Sequence, residues 1–422
     1  MAALGDIQDY FSRRAALIQE DKYLRRENYL LQSLTKNKLA ADKISIIRAE
    51  EVASIWGVEH DDFTLFPGVG FTISHSLLSK RTIDQTKIFK IISMPRGALL
   101  YAHIDTTVDK GYLLELALKE PFFHVRTSCV VTTAISTTAV TEFRAPLHQA
   151  RESFSLGGPD GWVLGAMTIN PAEAYGTHHI ATRGLTLYRP IFRQYIHRFL
   201  VVSIVDGISY MELRIISTSP YMFDADGSEM VPHREWQLDF GRAIGKVRTM
   251  LKKQGREEVF VSAKDCITLK QEFPDLIAGN NLYDALLLGT KRIGHGFSIV
   301  KHPKLLRLCR ENGIALEVCP ISNEILVCLP IAMRTTVFGT YVSMPMHPLS
   351  AMINQGVPVT LNPSVFGTKG LSYDFYQVFV SNETTGLITL KQIALDSIEF
   401  FLEIEEKMRA ASLWEKRLLN DL

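Results

Sequence analysis

Residues 97–109 read GALLYAHIDTTVD, an apolar run that turns polar at its end. Side chains two apart on a strand share a face, so Tyr101, His103 and Asp105 project one way and Ala102 and Ile104 the other. A strand that is apolar along its length and polar at its last residues suits a buried parallel sheet with its chemistry at the C-terminal strand ends. A His-x-His pair at such an end would begin a zinc site, because both imidazoles converge on one point. Here the first member is a tyrosine.

The same pattern continues on either side. RQYIHRFLVVSIVDG reads as a helix, SYMELRIIS as a strand, and LDFGRAIGKVRTMLKKQG as a helix with Phe240, Ile244, Val247 and Leu251 on its apolar face. EEVFVSAKD reads as a strand, NNLYDALLLGT as a helix and RIGHGFSIV as a strand. KLLRLCRENG is a helix that Gly313 ends in a left-handed cap, IALEVCPIS a strand, HPLSAMINQG a helix and VPVTLNPS a strand. KIFKIISMPRGALLYAHID is expected to run into the sheet as one buried strand. Strand–helix alternation of this kind predicts parallel strands with crossover helices, closed into a (β/α)₈ TIM barrel of α/β class. The barrel is expected over 88–422, and over 1–87 an N-terminal helical extension, amphipathic from Ile7 to Leu31, that caps the barrel or pairs with a second copy. Two polar loops, SFSLGGPDGW (153–162) and STSPYMFDADGSEMVPHREW (217–236), are expected to rim the active face.

The totals of this 422-residue chain narrow the function classes. Its 46 basic and 45 acidic side chains leave a net charge of +1, with no basic stripe for nucleic acid and no polybasic patch for anionic lipid. No apolar run reaches the roughly 18 residues of a membrane span, and MAALGDIQDYFSRR carries charge too early for a secretory signal. Cys129, Cys266, Cys309, Cys319 and Cys328 form no C-x-x-C pair and read as reduced thiols, so a cytoplasmic location is expected.

MPRGALLYAHID, DGISYMELR, NLYDALLLGTKRIGHGF, ALEVCPISN and NPSVFGTKGLSYDFYQVF resemble, in order, stretches of the adenosine deaminase superfamily, specifically its growth-factor-type and fungal members. YFSRRAALIQEDKYLRREN is similar to that group's N-terminal extension, which implies a homodimer. The resemblance implies one zinc, held by a His-x-His, by the His of a His-Ala-Gly-Glu stretch and by an Asp of a late Asp-Asp-Pro stretch. The Glu would protonate the purine ring, and a His in a Gly-His-Gly turn would orient the zinc-bound water.

Carried over residue by residue, the pattern has gaps. Tyr101 stands at the first histidine, His103 at the second, and Asp105 at an aspartate that contacts the sugar. Val261, Ser262, Ala263 and Lys264 align with His-Ala-Gly-Glu, and a slip of one residue would put Asp265 at the acid position. His295 keeps the Gly-His-Gly place, while Leu361, Asn362 and Pro363 replace Asp-Asp-Pro. Tyrosine, with a pKa of about 10, and a neutral amide are poor zinc ligands, so no metal and no other cofactor is expected.

The expectation is a repurposed, metal-independent acid–base enzyme on a small molecule, of isomerase, lyase, cyclase or hydrolase type, in a specialised biosynthetic pathway. His295, Lys264, His103 and Tyr101 would carry the chemistry, and Asp105, Gly184, Asn362 and Ser322 would contact substrate. A non-catalytic barrel that binds a nucleoside or a protein is the alternative, and a residual zinc-dependent adenosine deaminase ranks third.

Overall fold

The computed structural model describes residues 2–28, 38–56, 86–92, 96–103, 107–120, 124–127, 143–147, 185–215, 221–225, 230–260, 262–267, 280–326, 347–362, 370–382 and 384–400. Along the chain these form α1 (Ala2–Leu24), α2 (Lys38–Glu51), α3 (Lys87–Ile91), β1 (Gly97–His103), α4 (Lys110–Leu118), β2 (His124–Thr127), β3 (Phe143–Pro146) and α5 (Arg189–Val205). Next come β4 (Ile208–Ile215), β5 (Tyr221–Phe223), β6 (Met230–Pro232), α6 (His233–Lys253), β7 (Ser262–Ile267) and α7 (Asn280–Leu287). The last are β8 (Arg292–Gly294), α8 (Pro303–Glu311), β9 (Ala315–Val318), α9 (Pro320–Leu326), α10 (Leu349–Asn354), β10 (Val359–Leu361), α11 (Ser372–Ser381) and α12 (Leu387–Glu399).

Two parallel three-stranded arcs, β1-β4-β7 and β10-β9-β8, build the wall. They meet where Asn362, just past β10, accepts the backbone N–H groups of Leu100 (3.1 Å) and Tyr101 (2.8 Å) on β1. Outside this seam, Ser397 of α12 accepts the Ala98 N–H at 2.8 Å. The helix lies so near that a Cβ on Gly97 would sit 2.4 Å from the Ala394 carbonyl, and φ of +75° at Gly97 also favours glycine. The fold is the α/β TIM barrel, with every residue of β1, β9 and β10 buried in its wall.

Several boundaries differ from expectation. KIFKI is the short helix α3, because Thr86 caps it by accepting the Phe89 N–H, and the strand starts only at Gly97. RIGHGFSIV gives three strand residues and then a 3₁₀ turn at Phe297–Lys301. The 217–236 stretch contains the antiparallel hairpin β5–β6 and the start of α6, while 153–162 lies outside the described residues. Phe240, Val247 and Leu251 are buried and Ile244 packs partly buried beside them, as the helical period predicts. Gly313 takes φ of +58° after α8, the expected cap.

Segments of the first 87 residues are bound to the barrel by caps. Glu27 accepts the N–H groups of Gly386 and Thr389 at the start of α12. Arg48 donates to the Thr385 carbonyl at 2.7 Å and lies over the Phe379 ring. Glu51 accepts the Ile88 N–H of α3 and the Tyr376 hydroxyl of α11. By contrast, α1 leaves Ile7, Tyr10, Phe11 and Leu17 exposed. No helix among the described residues is long and apolar enough to cross a membrane.

Candidate functional site

The C-terminal end of β1 carries Tyr101 and His103, both buried. The Tyr101 hydroxyl lies 3.0 Å from His103 Nε2, and the Tyr101 ring is edge-on to both His103 (centroids 5.0 Å apart) and His295 (5.2 Å). One phenol thus separates the two imidazoles. A glycine at 294 makes room for it, since a Cβ there would stand 2.9 Å from Tyr101 Cε2.

His295 is the one non-glycine with positive φ (57°) among the described residues. Its N–H donates to the Glu317 carbonyl of β9 at 2.9 Å, and the Gly296 N–H reaches back to the Gly294 carbonyl at 2.7 Å, closing a three-residue turn. A left-handed histidine costs of order 1 kcal/mol or more and persists where its surroundings over-determine it. The strained turn aims the imidazole from the end of β8 towards Tyr101.

A polar chain that the sequence did not signal lies behind this histidine. His295 Nδ1 is 2.6 Å from Asn323 Oδ1, and Asn323 Nδ2 is 3.0 Å from His347 Nε2. The Leu349 N–H donates to His347 Nδ1 at 3.1 Å. Burial, with His295 nearby, pushes His347 down to about 3, so that ring is neutral. ALEVCPISN does contain Asn323, but its contact with histidines 28 and 24 residues away arises only on folding.

Deeper in the wall, Arg292 of β8 joins both arcs. It meets Glu212 of β4 at 2.5 Å and Glu317 of β9 at 3.3 Å, and both carboxylates are fully buried. The Tyr210 hydroxyl also donates to Glu212. Lys264, expected at a strand end, lies in the middle of β7 with its Cα in register with Glu212. The reason is that Glu257–Val259 form a 3₁₀ turn, so the strand begins at Ser262 and continues past Lys264 to Ile267. Catalytic groups in such barrels come from C-terminal strand ends, so this register takes Lys264 out of the expected position.

Asn362 also differs from expectation. Its Oδ1 serves two β1 amides, its Nδ2 faces Thr360, and the residue is wholly buried, so it closes the wall instead of contacting a ligand. Ser322 is buried at the start of α9, and its hydroxyl has no hydrogen-bond partner among the described residues. Asp105, Gly184 and Val261 lie outside the described residues.

Among the described residues the donor set does not fit the family's zinc. The Tyr101 hydroxyl is engaged by His103, and the Asn362 amide is occupied by the β1 backbone and by Thr360. Among the described residues no three His, Cys, Asp or Glu side chains converge.

Comparison with known proteins agrees with this architecture. The adenosine deaminase family model matches residues 277–415. The chain is similar to adenosine deaminase 2 of Sus scrofa, 26% identical over 442 residues, covering 81% of this chain and 82% of that protein. Similarity to adenosine deaminase 2 of Homo sapiens is 23% over 517 residues, covering 99% and 94%. That alignment is longer than this 422-residue chain and can be drawn only with gaps on this side. Among solved structures, a Burkholderia amidohydrolase with bound zinc superposes at a TM-score of 0.52, with 14% identity, over 81% of this chain and 96% of that one. The N6-methyl-AMP deaminase of Arabidopsis thaliana gives a TM-score of 0.51 at 13% identity, over 79% and 99%. By sequence pattern, by the stretch the family model matches and by fold, the chain is similar to the adenosine deaminase superfamily.

Proposed function

We propose that this barrel is a divergent deaminase-like protein that handles a small molecule without zinc, using Tyr101, His103 and His295 as a hydrogen-bonding and proton-transfer set. The observation that carries this reading is the Tyr101–His103 hydrogen bond at 3.0 Å, which uses the nitrogen a strand-end histidine would offer a metal. Two imidazoles on either side of one phenol can exchange protons near neutral pH, as isomerisation, elimination, cyclisation or hydrolysis requires. Ser322, whose buried hydroxyl has no partner among the described residues, is taken as a substrate contact. Asp105 and Gly184 keep the substrate contacts that the resemblance implies. Lys264, in mid-strand, is left out of the chemistry.

The barrel is taken to work as a cytosolic homodimer, with Ile7, Tyr10, Phe11 and Leu17 of α1 as the apolar face that a second copy would cover. Sedimentation of the protein against a variant carrying Ser at those four positions tests this part. Metal analysis alongside an adenosine-to-inosine absorbance assay tests the main proposal. The expected result is sub-stoichiometric zinc and no turnover after zinc loading. Stoichiometric zinc with turnover would overturn it in favour of a residual deaminase, the activity for which the relatives are named. A non-catalytic barrel is favoured by the closure of Tyr101 on His103; a ligand that is bound and released unchanged, with no effect of His295→Gln, would select that reading.

A further inference from the structure

We propose that His347, acting through Asn323, fixes the proton of His295 on Nε2, so that the site presents an N–H donor at this position. The Leu349 backbone N–H can only donate, so His347 Nδ1 accepts and carries no proton. The buried ring is neutral, so its single proton sits on Nε2. That N–H, 3.0 Å from Asn323, needs the amide oxygen as its acceptor. With Asn323 Nδ2 on His347 Nε2, as the atoms are placed, both nitrogens of His347 would have to accept, and a neutral imidazole has one acceptor only, so the amide is assigned turned over.

A half-turn of the amide exchanges its oxygen and nitrogen, so the assigned nitrogen takes the place of the Oδ1 that lies 2.6 Å from His295 Nδ1 and can only donate to it. Neutral His295 therefore keeps its proton on Nε2. Both ends of the relay are anchored. His295 is held in its left-handed turn by Glu317, the Asn323 N–H donates to the Cys319 carbonyl at 2.8 Å, and the His347 ring packs edge-on to Phe297. Asn323 and His347 are both buried, so water does not compete for the amide.

The consequence is a polarity for the ligand. An Nε2–H donor seats an acceptor atom, such as a carbonyl or phosphoryl oxygen or an unprotonated ring nitrogen, and it makes His295 an acid in the first proton transfer. This consequence rests on the function proposed above; the tautomer does not, and the test measures the tautomer alone.

Two-bond ¹H–¹⁵N spectra of the full-length protein, labelled with ¹⁵N-histidine and recorded at neutral pH, read which ring nitrogen lacks a proton. His295 and His347 are assigned by the signals lost in His295→Gln and His347→Gln. The expected spectrum shows the unprotonated nitrogen at Nδ1 in both rings. An unprotonated Nε2 in His295, or averaging of the two forms, would overturn the proposal. In Asn323→Asp, which offers only acceptors, the His295 proton should move to Nδ1; an unmoved proton would also overturn it. If that variant does not fold, the wild-type spectrum decides alone. In His347→Phe the amide is free to turn, and both His295 tautomers should appear; a single Nε2–H form would remove His347 from the relay.

Discussion

Replacing Arg292 by methionine keeps most of the side-chain volume and removes the positive charge that meets both Glu212 and Glu317. Both carboxylates are fully buried, and the guanidinium lies 2.5 Å from one and 3.3 Å from the other. At an effective dielectric near 20, unit charges about 4 Å apart interact by roughly 4 kcal/mol. Breaking a buried pair by deleting one partner costs about 3–5 kcal/mol, because the remaining charge is left uncompensated. We expect a loss of about 4 kcal/mol at pH 7. The folded variant can relieve the cost by protonating one carboxyl, binding a proton that the unfolded chain does not bind. Its stability therefore falls as pH rises, by up to about 1.4 kcal/mol per unit. Urea unfolding at pH 7 and pH 5 measures both effects, with a smaller difference from wild type at the lower pH. A loss below about 1 kcal/mol at pH 7, or one independent of pH, would refute the bridge between the two arcs.

Gly294→Ala should push the Tyr101 ring aside, since the new Cβ would stand 2.9 Å from Cε2; a loss of about 1–3 kcal/mol and altered Tyr101 fluorescence are the readouts. Tyr101→His restores a His-x-His pair, yet Asn362 stays committed to the β1 backbone, so metal analysis should still find less than one zinc per chain. Glu27→Ala removes the cap of α12 and should cost about 1–2 kcal/mol in thermal unfolding, with no change in zinc content. His347, held down to about 3 against an unfolded value near 6.5, binds fewer protons folded than unfolded. Its contribution is complete above about pH 6.5 and is lost as pH falls towards 3; His347→Gln should flatten the stability curve in that window.

The site was legible where residue type alone sets the chemistry. Tyr101 cannot act as an imidazole on any backbone, and the period of two puts it on the same face as His103, which the structure bears out in their hydrogen bond. Lys264 falls in mid-strand and not at a strand end because Glu257–Val259, read as strand, form a 3₁₀ turn and β7 runs on to Ile267. Asn362 looked like a replaced ligand, because the register that hands its amide to β1 is a contact across more than 260 residues.

Sequence by itself determined the alternation of strand and helix, the apolar face of α6 and the Gly313 cap, since each depends on local period or on side-chain identity. Only the tertiary structure decided that Arg292 joins Glu212 to Glu317, that Asn362 seals the wall, and that His347 governs His295 through Asn323. Hydrogen bonds and ion pairs are set by distances of a few ångströms between residues far apart in the chain, and no local pattern carries that information.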